Sequence, residues 1–165
     1  MKTKILLLSV FVLALAACQQ QTQKMPVDIK AEKTAVNNVL NTMIQAFKAQ
    51  DVPTLETLIA DDMIAVGSDP SELWNRKEIV EMWKQMLAQP FELDTIGTAV
   101  IKVAADGQSA FAMQQYRMPA FSSKLAFRNG YHLIKSGERW LILVSNTACI
   151  PKNEDLPKID KALSE

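Results

Sequence analysis

The chain contains a single histidine, His132, four residues after Arg128. On a strand, residues at even spacing share a face, so this pair would set a proton-transfer group beside an anion anchor. Strand alternation brings His132 near Tyr116 or Met118 of the neighbouring strand if that face points inward. If it points outward, the same pair belongs to a subunit interface. Asp69 is the first carboxylate of interest: at the mouth of an apolar pocket it would be a general base with a raised pKa. The competing reading makes it a helix cap, with Pro70 at the first helical position and Glu72 three residues on. Asp61 and Asp62 are adjacent, and neighbouring carboxylates at a helix end diverge into solvent.

Trp74, Trp83, Trp140 and Tyr116 could line a binding cavity. Trp83 and Trp140 read more simply as core, and Trp74, in a loop between two capping signals, as a ligand contact. Eight methionines imply an adaptable interior rather than a cofactor box. The sequence has no glycine-rich phosphate loop, serine elbow or Cys-x-x-Cys pair, and we expect no cofactor. One histidine leaves zinc without recognisable ligand spacing, and no metal is expected.

These groups must be positioned by a helical half followed by a strand half. Val36, Val39, Leu40, Met43, Ile44 and Phe47 recur at three- and four-residue steps, predicting an amphipathic helix over 31–50. Asp51 and Pro53 restart the chain as a short helix with Leu55, Leu58 and Ile59 inward, ending at Asp61-Asp62. Residues 63–66 fit a strand. Asn75 with Glu78 forms a capping-box signal for a helix over 76–87. After Phe91 the period changes to two: 95–103, 109–118, 124–135 and 139–149 read as antiparallel strands joined by tight turns. Leu125, Phe127, Tyr131 and Leu133 oppose Ala126, Gly130, His132 and Ile134, while Trp140, Ile142 and Val144 oppose Leu141 and Leu143. Both sheet faces are thus largely apolar. Helices can cover one, and the other needs a partner, most simply a second copy of the chain.

The first residues carry a different signal. Lys2 and Lys4 precede a ten-residue apolar run over 5–14, too short for a transmembrane helix. Leu15-Ala16-Ala17-Cys18 completes a secretory-signal layout and resembles the lipobox of bacterial lipoproteins. That resemblance implies removal of 1–17 and acylation of Cys18 with palmitate-type chains. With Gln19 next, it also implies an outer-membrane anchor facing the periplasm. Residues 18–30 then form a flexible tether, 31–150 the domain and 151–165 a charged tail with at most a short helix. Removing Lys2 and Lys4 changes 18 basic groups to 16 against 18 acidic ones, and no basic stripe suggests nucleic acid. Cys149 is left alone, and we expect it buried and inert.

Ala60-Asp61-Asp62, Gly67-Ser68-Asp69-Pro70, Glu72, Trp74, Arg76-Lys77-Glu78-Ile79 and Gly137-Glu138-Arg139-Trp140 together resemble the SnoaL-like domains of the nuclear-transport-factor-2-like superfamily. The likeness covers about 31–149. It implies an α+β cone: a curved antiparallel sheet wrapped around three N-terminal helices, with a pocket at the open end. Asn75 stands where many relatives have glycine, and Asn146 near where many have histidine. Trp74, Tyr116, Met118 and Asn146 are then the expected ligand contacts. The expected role is a non-enzymatic, membrane-anchored domain binding a small apolar ligand or a partner protein, with a homodimer as the assembly. The alternative is a small isomerase, hydrolase or cyclase using His132 or Asp69 with Tyr116 and Arg128.

Overall fold

A computed structural model describes residues 26–164; Cys18 and the signal segment lie outside the described residues. Helix α1 (Ile29–Lys48) starts at Asp28, whose carboxylate accepts the N–H groups of Lys30 and Ala31 at 3.0 Å. Its buried stripe of Val36, Leu40, Met43 and Ile44 follows the three-four spacing of an amphipathic helix. Asp51 caps the short α2 (Val52–Thr57) through the Thr54 N–H at 3.0 Å. Gln50 makes the tight junction between them with a φ of 59°. Its Nε2 donates at 2.6 Å to the carbonyl of Leu87, which ends α3 (Arg76–Met86). Helix α3 opens on a complete capping box formed by Asn75 and Glu78.

Two expectations fail between α2 and α3. Asp61 and Asp62 do not end a helix; they are exposed within β1 (Ile59–Val66). The helix stops at Thr57 because Leu58 is drawn onto the sheet, its carbonyl accepting the Ile142 N–H at 2.9 Å. No helix starts at Pro70 either. Asp69 accepts the Ser71 N–H at 2.8 Å, and Glu72 Oε2 accepts the Asp69 N–H at 3.0 Å. These cap-like bonds close a turn, and antiparallel pairing with β1 takes the chain into β2 (Leu73–Asn75).

The long strands are β3 (Asp94–Val103), β4 (Ser109–Arg117), β5 (Ala126–Ser136) and β6 (Arg139–Ile150). The sheet order is β2-β1-β6-β5-β4-β3, antiparallel except for the parallel β1–β6 pair. Its inner face, covered by the three helices, is the core of an α+β cone. Two irregularities bend the sheet. In β3 the register shifts between Ile96 and Val100, with Gly97 at a φ of 67°. Buried Gln114 stabilises that kink by donating Nε2 to the carbonyls of Ile96 and Gln115, each at 3.1 Å. In β6, Leu143 is an extra residue between the pairs His132–Val144 and Leu133–Ile142.

The bulge reverses the expected face of Val144. Trp140 and Ile142 point inward and are buried, but beyond Leu143 the inward positions are Ser145 and Thr147. Cys149 is exposed rather than buried. Strand β1 reaches only to Asn146, so among the described residues the end of β6 has no strand neighbour on that side. The outer face carries a cross-strand row of Lys102, Phe111, His132, Val144 and Ile64. Phe111 and Ile64 are 50% and 46% exposed, so among the described residues nothing covers this face.

At the other end of the sheet, Val27 packs against Gly107 in the β3–β4 turn. A Cβ at Gly107 would lie 2.6 Å from Val27 Cγ1, and its φ of 67° also favours glycine. The tail forms α4 (Leu156–Leu163), which buries none of its residues.

Helix α1 is tied to the sheet by Glu32, which pairs with Lys135 of β5 and accepts the Trp140 Nε1–H at 2.8 Å. The Lys135 bond, then the Trp140 bond, hold its carboxyl below the usual range near 4.5. A depressed carboxyl pKa stabilises the fold above the unfolded value, and that contribution is lost as pH falls through the folded one. We expect Glu32→Gln to cost about 1–3 kcal/mol at neutral pH. In chemical denaturation the gap from wild type should close as the pH drops below about 4.5.

Candidate functional site

A cavity of about 560 Å³ opens between the inner sheet face and the helices. It occupies the end of the sheet where β4 finishes and β5 begins. Phe47 of α1 and Met82, Trp83 and Met86 of α3 form one apolar wall. The facing wall is strand-borne: Tyr116 of β4, Phe127, Asn129 and Tyr131 of β5, and Ser145 and Thr147 of β6. Trp74 and Glu72 close the β1–β2 side.

An aromatic arc rims the cavity. Phe91 lies between Phe47 and Phe121 at centroid distances of 6.1 and 6.0 Å, and Phe121 meets Phe127 edge-on at 6.0 Å. Edge-to-face rings at such distances attract beyond simple burial. Phe121 belongs to the β4–β5 loop and is 59% exposed, an aromatic side chain held at the lip with much of its surface in water.

The polar wall centres on two phenols. The hydroxyls of Tyr116 and Tyr131 lie 3.2 Å apart, both side chains being buried. Loss of hydration pushes the Tyr116 phenol up to about 12, partly offset by its bond to Tyr131. Burial raises Tyr131 well above its ordinary value, and the Tyr116 neighbour raises it further. The cavity therefore holds neutral phenols, which donate and accept hydrogen bonds without charge.

Of the residues singled out from sequence, the cavity gathers Trp74, Trp83, Tyr116 and Met118, Trp83 being core and cavity wall at once. It does not gather the others. Asn146 is exposed on the outer face, because the Leu143 bulge hands its expected place to Ser145 and Thr147. His132 and Arg128 are exposed on that same outer face, where His132 pairs across the sheet with Phe111 and Val144. Tyr116 pairs with Phe127 and faces inward, so the sheet stands between it and His132. Asp69 is an exposed turn residue; the Ser71 hydroxyl and N–H hold its carboxyl below the usual range, the reverse of a raised-pKa base. Histidine, arginine, Asp69 and Tyr116 do not converge.

Sequence reasoning passed over Asn129, Tyr131, Ser145, Thr147 and Phe121 as cavity residues. Tyr131 shares strand parity with Phe127, and that signal was available. Ser145 and Thr147 were masked by the bulge. Among the described residues, no group of three His, Cys, Asp or Glu side chains is placed to hold a metal, and no helix is long and apolar enough to cross a membrane.

The SnoaL-like domain model matches residues 36–146, from α1 through most of β6. The chain belongs to the SnoaL-like domain family. Solved structures agree with that fold. An NTF2-like protein of unknown function from Pseudomonas putida superposes with a TM-score of 0.65 at 16% identity, covering 76% of this chain and 91% of that one. A domain of unknown function with a cystatin-like fold from Nostoc punctiforme gives 0.66 at 16% identity, covering 82% and 87%. An NTF2-like protein of unknown function from Shewanella baltica gives 0.59 at 16% identity, covering 76% and 99%. At such identities the likeness concerns the fold alone. No curated protein matches the chain in sequence.

This SnoaL-like domain has only two tyrosines, both in the cavity wall. Ultraviolet titration of phenolate should therefore show no ionisation step near 10.0, with the first onset at about 12 or on unfolding. A step with a midpoint near 10 would mean that the pair is open to water.

Proposed function

We propose that this SnoaL-like domain binds a small, mainly apolar, uncharged molecule in its cavity, and that binding rather than catalysis is its role. The carrying observation is the cavity itself. About 560 Å³ lies within the range of small-molecule sites, which combine apolar walls with a few placed polar groups. Among the described residues, no Lys, Arg or His lines it, so an anionic ligand would find no counter-charge. Trp74, Tyr116, Met118 and the aromatic arc supply contact surface that adapts in shape.

We further propose that the domain is held at the bacterial outer membrane, facing the periplasm, through a lipidated Cys18. The short apolar leader and the Leu-Ala-Ala-Cys ending support this. Several acyl chains contribute about 0.8 kcal/mol per buried methylene, enough for firm anchoring. The outer sheet face supports a homodimer: Phe111, Val144 and Ile64 form an apolar row that a second copy would cover. His132 would then lie in the subunit interface.

The neutral fluorescent probe N-phenyl-1-naphthylamine tests the cavity. It should bind once per chain with a micromolar dissociation constant. Phe121→Ala should weaken it about tenfold, the affinity carried by part of one aromatic side chain, with little change in melting temperature. Absent or unsaturable binding would sink the ligand-binding role. For the anchor and the assembly, Cys18→Ser should move the protein from the membrane to the soluble fraction. That soluble protein should sediment as a dimer at roughly tens of micromolar, and Phe111→Lys should make it monomeric. Retention on membranes, or a monomer before the Phe111 change, would refute the respective claim.

A further inference from the structure

The hydrogen bonds of the cavity wall do not close among the protein's own groups. Asn129 Oδ1 is fully buried and has no partner. A buried acceptor left without a donor is rare in folded proteins, because it has given up water for nothing. Asn129 stands two residues before Tyr131 on β5, so both side chains face the cavity. Tyr116 meets Tyr131 from the adjacent strand, and the two hydroxyls share one hydrogen bond of 3.2 Å. Two phenols bring two protons, so one O–H remains unspent. Either hydroxyl can donate the shared bond, and whichever does, the other keeps a free O–H. One wall thus presents a free donor and a free acceptor, both electrically neutral.

We infer that this wall is a subsite for a hydroxyl group on an otherwise apolar, neutral ligand, with the ligand O–H donating to Asn129 Oδ1 and its oxygen accepting from the free hydroxyl of the Tyr116–Tyr131 pair. The inference rests on the ligand-binding role proposed above and names the chemical class. A ketone or ether would accept from the free phenol but leave Asn129 unpaired. A carboxylate would do the same and add a charge that no lining cation offsets. An ammonium group would supply Asn129 but has no lone pair for the free phenol proton. Only a group that both donates and accepts satisfies both, and an alcohol or phenol is the simplest. The apolar body of such a molecule would lie against Phe47, Met82 and Trp83 on the opposite wall.

Equilibrium dialysis of the domain against 2-naphthol, 2-methoxynaphthalene and naphthalene tests this. The three share one apolar body and differ in donating and accepting, accepting only, and neither. Partition into an apolar medium favours the last two, so a plain greasy cavity would take naphthol least well. We expect naphthol to bind at least about tenfold more tightly than either, the worth of about one net hydrogen bond. In Asn129→Leu and in the double variant Tyr116→Phe with Tyr131→Phe this ratio should collapse toward one. If 2-methoxynaphthalene binds as tightly as 2-naphthol, the donor role toward Asn129 is wrong. If naphthalene matches both, the hydroxyl subsite falls while the apolar cavity stands. If none of the three binds, the cavity role falls and the subsite with it. The wild-type series decides the matter even if one variant fails to fold.

Discussion

A strand shows alternate residues to one side, and β6 has to serve two different surroundings on that side. Near its start it buries the apolar Trp140 and Ile142; further along it must present the polar Ser145 and Thr147 to a cavity. The extra residue at Leu143 separates these tasks by reversing the parity of everything after it. Without it, Asn146 and Ala148 would face inward, while Ser145 and Thr147 would lie on the outer sheet. The pairing of Ser145 with Tyr131 and of Thr147 with Asn129 would also be lost. The polar wall and the apolar outer row are thus two results of one insertion. An added residue also increases local twist, consistent with a sheet curved enough to close around its contents.

The rest of the frame supports that curvature from both ends. Gln114 spans the β3 kink with its amide, so the carbonyls freed where the ladder breaks are not left dry. Glu32 joins α1 to Lys135 and Trp140, fixing the helix on the non-cavity half of the sheet. The cavity is then a region the helices do not fill, between α3 and the far ends of β4, β5 and β6. It is bounded largely by methionine and aromatic side chains, and methionine adapts to irregular gaps.

Much of this could be read in the chain beforehand, where local patterns decide the outcome. The stripe from Val36 to Phe47, the Asn75–Glu78 box and the two-residue alternation of β4 and β5 all appear where their spacing placed them. The failures share a cause: tertiary pairing overrode a local signal. Asp69 and Glu72 form the hydrogen bonds of a helix cap, yet β2 pairing claims the next residues. Asp61 and Asp62 look like a helix end, but β1 runs parallel to β6 and carries them into the sheet. A bulge leaves no trace in alternation, so the pattern puts Val144 on the same face as Trp140 and Ile142, and the resemblance that makes Asn146 a ligand contact carries no sign of the shift either. The face of His132 and Arg128 was undetermined, since one strand does not reveal which of its sides meets the helices.

The packing of Val27 on Gly107 has a consequence for orientation. The chain enters the domain at the β3–β4 turn, whereas the cavity is lined from Tyr116 and Met118 onward at the opposite end of β4. Helix α1, twenty residues long, is about 30 Å of rigid spacer between the two. With the anchor proposed above, attachment and opening would lie at opposite ends of the domain, so a ligand would enter from the end remote from Val27.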